Sequence, residues 1–197
     1  MRFLALGDSY TIGTGASDES KSWPRIIASR LGAELTNPAV NGYTTLDLIR
    51  EELPYLDRVT PDLVSILIGV NDLVQGRSAD GYRGSLRTIY AKVASLELPH
   101  GRVAAVSIPS WHYVPAAADF GGAKQVEALT GAFNDVARAE AAARDFLWID
   151  IGPASSSRIG SEGWIASDRL HPGDAQYAAW ADAIWTVVGP VWASARP

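Results

Sequence analysis

The sequence predicts an α/β fold, a three-layer arrangement in which a parallel sheet is covered by helices on both faces. Short apolar runs without polar alternation recur along the chain, the pattern of strands buried on both sides. Segments with helical periodicity and helix-end signals separate these runs, and strict strand–helix alternation is the pattern of parallel sheets. The 197 residues are 47% hydrophobic and 20% charged with no shift in composition, so one domain spanning 1–197 is expected.

Arg2 to Leu6 is the first predicted strand, ending at Gly7-Asp8-Ser9. Ser22 is placed to cap a helix through Leu31, with Pro24 in its first turn and Gly32 at its stop. A weaker strand follows at Ala33 to Thr36. Thr44 and Asp47 have capping-box spacing ahead of Leu46, Leu48 and Ile49, and Pro54 is expected to close that helix. Leu63 to Ile68 reads as a buried strand, followed by a helix with Tyr82, Leu86, Ile89, Val93 and Leu96 on one face. Val103 to Ile108 is the next strand, and Val126, Leu129, Phe133 and Val136 mark the inner face of the next helix. Phe146 to Ile151 is the last strand. The final helix is expected from near Pro172 through Tyr177, Trp180 and Ile184 until Gly189-Pro190 disturbs it.

Composition narrows the function classes. Seventeen basic against 22 acidic residues give a net charge of -5, and with no basic stripe nucleic acid is not an expected partner. The absence of cysteine excludes a disulfide framework, a thiolate nucleophile and Cys-ligated metal. No apolar run reaches the roughly 18 residues of a membrane span, and no signal-peptide pattern precedes the first strand; a cytoplasmic location is the default expectation. Among the seven tryptophans, Trp180, Trp185 and Trp192 suit either core packing of the last helix or a dimer interface, which leaves the oligomeric state open.

In parallel sheets, ligands bind beyond the carboxyl ends of the strands. Four clusters stand at such places: Gly7-Asp8-Ser9, Asn41-Gly42, Gly69-Val70-Asn71-Asp72, and Asp168-Arg169-Leu170-His171. Each alone also suits a turn or a cap. A serine hydroxyl becomes a nucleophile when a base takes its proton and an acceptor fixes the base's tautomer. His100 precedes a strand, at the amino end of the sheet, and reads as solvated; His112 has no acid nearby in sequence and reads as structural. Asp168 precedes His171 by three residues, so one turn of backbone can bring its carboxylate to the ring. Asn71 can donate to an oxyanion from its side chain, and Gly42 and Ser9 from their backbone amides.

Together these four motifs, in this order and spanning residues 4 to 172, resemble the SGNH hydrolases, also called the GDSL lipase/esterase family. Tyr10 stands where the family's nickname has leucine, and the second motif is reduced to Asn41-Gly42. The resemblance implies a flavodoxin-like α/β/α sandwich and an esterase acting on small-molecule esters without a metal or other cofactor. It casts Ser9 as nucleophile, His171 as general base and then acid, and Asp168 as the orienting carboxylate. The oxyanion hole would be the Ser9 amide, Gly42 and Asn71.

Two other classes compete with this reading. In a metal-dependent phosphoesterase, Asp8, Asn71, Asp72, Asp168 and His171 would bind divalent ions; a non-catalytic binding module would keep the crevice without turnover. Acyl transfer to a sugar or alcohol would use the same residues as hydrolysis. The segments 109–122 and 152–167 are the expected pocket walls, with Trp111, Tyr113 and Trp164 as substrate-binding candidates. Without a long insertion to form an acyl tunnel, short acyl groups are expected.

Overall fold

Five strands pair in parallel in the order β2-β1-β3-β4-β5: β1 (Arg2–Gly7), β2 (Glu34–Thr36), β3 (Leu63–Leu67), β4 (Val103–Val106) and β5 (Leu147–Ile149). The computed structural model describes residues 1–195. The helices are α1 (Ser9–Ile12), α2 (Trp23–Leu31), α3 (Thr45–Asp47), α4 (Pro54–Val59), α5 (Val70–Val74), α6 (Ala79–Ala94), α7 (Ala123–Ala142), α8 (Gly152–Ser156) and α9 (Asp174–Trp192). Helix α2 packs on α9 and α6 on α7, with β5 touched by both α7 and α9. The result is the expected three-layer, flavodoxin-like α/β architecture. Because β1 lies between β2 and β3, the connections leaving it and β3 diverge, and a crevice opens at their carboxyl ends.

Central strands carry the core. Phe3, Leu4 and Leu6 of β1 and Leu63, Val64, Ile66 and Leu67 of β3 are buried, as their unbroken apolar runs require. Trp23 and Ile27 of α2 meet Trp180 and Ile184 of α9 in this core, with Tyr82, Leu86, Ile89 and Phe133 from α6 and α7. Burying a side chain of this size contributes about 1.5–3 kcal/mol against conformational entropy. No helix among the described residues is long and apolar enough to cross a membrane.

Several helix boundaries differ from expectation. The Thr44–Asp47 capping box forms, but Pro54 does not end the helical run. A π-helical turn over Leu48–Glu52 intervenes, and Pro54 then opens α4 at a position where no amide hydrogen is required. Helix α9 begins at Asp174, after Pro172, and continues through Gly189-Pro190. Glycine before the proline removes the Cβ that would oppose a helical backbone, and Pro190 faces solvent. On α7, Leu129 is exposed; Val126, Thr130, Phe133, Val136 and Ala137 form the buried face.

Candidate active site

Strand β1 runs straight into the short helix α1, and Asp8 makes that junction. Its Oδ1 accepts the Tyr10 amide at 3.0 Å as the N-cap of α1, and Gly13 ends the helix in the left-handed region. Ser9 is therefore the first helical residue, at the carboxyl end of β1, an interior strand of the sheet. Its amide donates to no acceptor among the described residues, as expected of a helix N-terminus.

His171 reaches the same place from the far end of the chain. Ala166 donates to the His171 carbonyl at 2.8 Å beside the antiparallel bridge Ile165–Pro172, with Arg169 at φ 66° in the bend. Within the bend Asp168 Oδ1 accepts the amides of Leu170 (3.0 Å) and His171 (2.9 Å), and Oδ2 lies 2.6 Å from His171 Nδ1. Desolvation is the largest influence on Asp168 and raises its pKa, but the hydrogen bonds from Leu170 and from the His171 ring and amide outweigh it and hold the carboxyl below its ordinary range. Gly15 lets the two segments close: a Cβ there would stand 2.6 Å from the Pro172 carbonyl oxygen and 3.0 Å from His171 Cβ, and its φ of 93° favours glycine. The Tyr10 ring meets the imidazole edge-on at 5.9 Å between centroids.

Asn71 occupies the first turn of α5, after β3. Its Nδ2 donates to the Tyr43 carbonyl at 2.9 Å and lies 3.5 Å from Asp8 Oδ2, so its second proton is only weakly engaged. Asp72 is turned away from the crevice. Its Oδ2 accepts the Thr45 amide at 2.8 Å, while Oδ1 accepts from Thr45 Oγ1 (2.6 Å) and Arg77 Nη1 (3.0 Å). This buried clamp fixes the segment after Asn41-Gly42 to the Asn71 turn. It also takes Asp72 from the ligand set that a metal-assisted reading needs, and among the described residues no three acidic or histidine side chains gather around a common point.

Ser9, Tyr10, Asn71 and His171 line one pocket of about 80 Å³, whose apolar walls are Val70, Val74, Trp111, Phe120 and Leu170. Gly42 is exposed, with a φ of 82°, and is not among its lining residues. Of the three aromatic substrate candidates, Trp111 lines the pocket, its Nε1 anchored to Thr130 Oγ1 at 3.0 Å. Trp164 does not: it is fully buried, with Nε1 on the Ser155 carbonyl at 2.9 Å. Tyr113 binds that same carbonyl through its hydroxyl at 2.5 Å and accepts from Gln176 at 2.9 Å. Both have folded back to seal the segment before Asp168. The wall residues missed from the sequence include Val70 and Leu170, each inside a recognised motif.

Two buried carboxyl groups underlie the nucleophile turn. Burial, opposed by the Tyr10 amide and reinforced by the charge of Asp72, pushes Asp8 up to about 7. Burial likewise pushes Glu52 up to about 8, against the hydrogen bond from Gly7 and with Asp8 adding to the rise. Glu52 was not singled out from the sequence, although it interrupts an apolar stripe at spacing four, Leu48-Glu52-Leu56.

A parallel α/β sheet presenting a serine, an aspartate-oriented histidine and an amide donor at its switch point defines a hydrolase-like crevice. The chain belongs to the GDSL-like lipase/acylhydrolase family, whose model matches residues 5–179. It is 38% identical over 80 residues to an arylesterase from Vibrio mimicus, a match covering 38% of this chain and 40% of that protein. A lipase from Streptomyces rimosus is 37% identical over 81 residues, covering 36% and 30% of the two chains. These matches span less than half the length of either relative. A lipolytic protein of the G-D-S-L family from Veillonella parvula has the same fold, with a TM-score of 0.78 at 19% identity over 97% of this chain and 100% of that one.

Proposed function

We propose that the chain, read as one domain over 1–197, is a serine hydrolase of small carboxylic esters, with Ser9 as nucleophile, His171 as base and Asp168 as its orienting carboxylate. The observation that carries this reading is the 2.6 Å contact between His171 Nδ1 and Asp168 in a histidine that lines the same pocket as Ser9. With the Nδ1 proton directed at the carboxylate, Nε2 is left as the acceptor. His171 takes the hydroxyl proton as Ser9 Oγ attacks the ester carbonyl, then returns it to the departing alkoxide. The acyl-enzyme is hydrolysed by the same steps with water as nucleophile. The unengaged Ser9 amide and the weakly held Asn71 proton are donors for the oxyanion, with Gly42 proposed as a third. Membership of a lipase/acylhydrolase family and similarity to an arylesterase and a lipase support ester chemistry.

The small apolar pocket favours short acyl groups. Hydrolysis of p-nitrophenyl acetate and butyrate by wild type and Ser9→Ala tests the reading: substitution should cost roughly 10⁴-fold or more in turnover with the fold intact. Equal activity of the two proteins would refute it. Faster turnover of long-chain than of short-chain esters would refute the acyl preference alone.

A further inference from the structure

Glu52 closes the π-helical turn between α3 and α4 and is fully buried. Its Oε2 accepts the Gly7 amide at 2.9 Å, while Oε1 is buried with no partner. A buried carboxyl with one oxygen unpaired costs free energy that an apolar side chain of similar size would not. Leu48 and Leu56, four residues to either side, show that this stripe otherwise takes leucine. Stability of the helix does not account for a glutamate there.

We infer that Glu52 is a positioning residue for Ser9, holding the Gly7 amide and thereby the end of β1 from which the nucleophile turn departs. The inference rests on the reading of Ser9 given above. Gly7 is two residues before Ser9 and is clamped elsewhere: a Cβ on it would stand 2.1 Å from Thr11 Oγ1 and 2.3 Å from the Leu67 carbonyl oxygen. Thr11 belongs to α1 and Leu67 to β3, which leads to Asn71. The Gly7–Glu52 bond thus ties the junction of three site segments to the π turn. Burial pushes the carboxyl up to about 8, and an oxygen of the group can accept the Gly7 amide in either protonation state. A displacement of about 1 Å at a reacting atom costs on the order of 10²-fold in rate.

The test compares Glu52→Leu and Glu52→Gln with wild type on p-nitrophenyl acetate, measuring kcat and KM separately, together with the rate at which a p-nitrophenyl alkylphosphonate labels Ser9. Glu52→Leu should lose roughly 10- to 100-fold in kcat and in labelling rate with KM little changed. Glu52→Gln, which retains an acceptor oxygen, should stay close to wild type. If Glu52→Leu does not fold, Glu52→Asp, shorter by one methylene, is expected to show the same loss. Full kcat in Glu52→Leu or Glu52→Asp, or a Gln variant as impaired as the Leu variant, would overturn the inference and leave the Ser9 reading intact. An active wild type unaffected by Ser9→Ala would overturn both.

Discussion

Two histidine–aspartate pairs stand at opposite ends of the sheet, each with Nδ1 2.6 Å from a carboxylate oxygen. His100 and Asp145 meet at the amino end, before β4 and β5, with side chains 70% and 83% exposed. His171 and Asp168 meet at the carboxyl end, with side chains 17% and 42% exposed, and His171 shares its pocket with Ser9 and Asn71. Identical contacts therefore have different consequences. An exposed pair is screened by water and contributes little beyond about 1 kcal/mol. A half-buried imidazole that lines the same pocket as a serine can direct its second nitrogen to chemistry. The carboxyl end of a parallel sheet, where loops from several strands converge, provides the second partner.

Substitutions at the two ends of the sheet should have opposite outcomes. His171→Ala should reduce turnover of p-nitrophenyl acetate by about 10⁶-fold, whereas His100→Ala should leave it unchanged; a loss in the His100 variant would erase the distinction. Asp168→Ala should cost about 10⁴-fold through loss of the oriented tautomer, and Asp145→Ala should again be silent in the same assay. Asn71→Ala should cost roughly 10²–10³-fold, mainly in kcat, if its side chain meets the oxyanion. An unchanged kcat would remove Asn71 from the site.

The smallest effect concerns stability. Asp8 and Glu52 have folded-state pKa values raised to about 7 and 8, above ordinary values of 3.8 and 4.5. The folded protein therefore holds more protons than the unfolded chain across that window, so their contribution is full below about pH 4 and is lost as pH rises through 7 and 8. Urea unfolding from pH 5 to 9 should show stability from these groups declining with pH, and Glu52→Gln should flatten the upper part of the decline. A decline unaltered by this substitution would contradict the assignment to Glu52.

What could be read from the sequence was local. Strand cores such as Leu63–Leu67, the Thr44–Asp47 capping box and the Asp168–His171 spacing are set by neighbouring residues, and each forms in the fold. The convergence of Ser9, Asn71 and His171 followed from one topological rule about strand ends. Features that depend on tertiary packing were not legible. The π turn that turns Glu52 inward ends before Pro54, which opens the next helix instead of stopping the helical run, and Trp164 is drawn into the interior by a carbonyl nine residues earlier. Nor does sequence spacing distinguish Asp72 as a clamp from a ligand; its hydrogen bonds to Thr45 and Arg77 do.

In the proposed mechanism His171, held by Asp168, activates Ser9. Its most direct test is mass spectrometry after exposure of wild type, His171→Ala and His100→Ala to a p-nitrophenyl alkylphosphonate. A single phosphonyl adduct on Ser9 is expected in wild type and in His100→Ala, with labelling nearly abolished in His171→Ala. An adduct on another residue, or equal labelling of all three proteins, would contradict it.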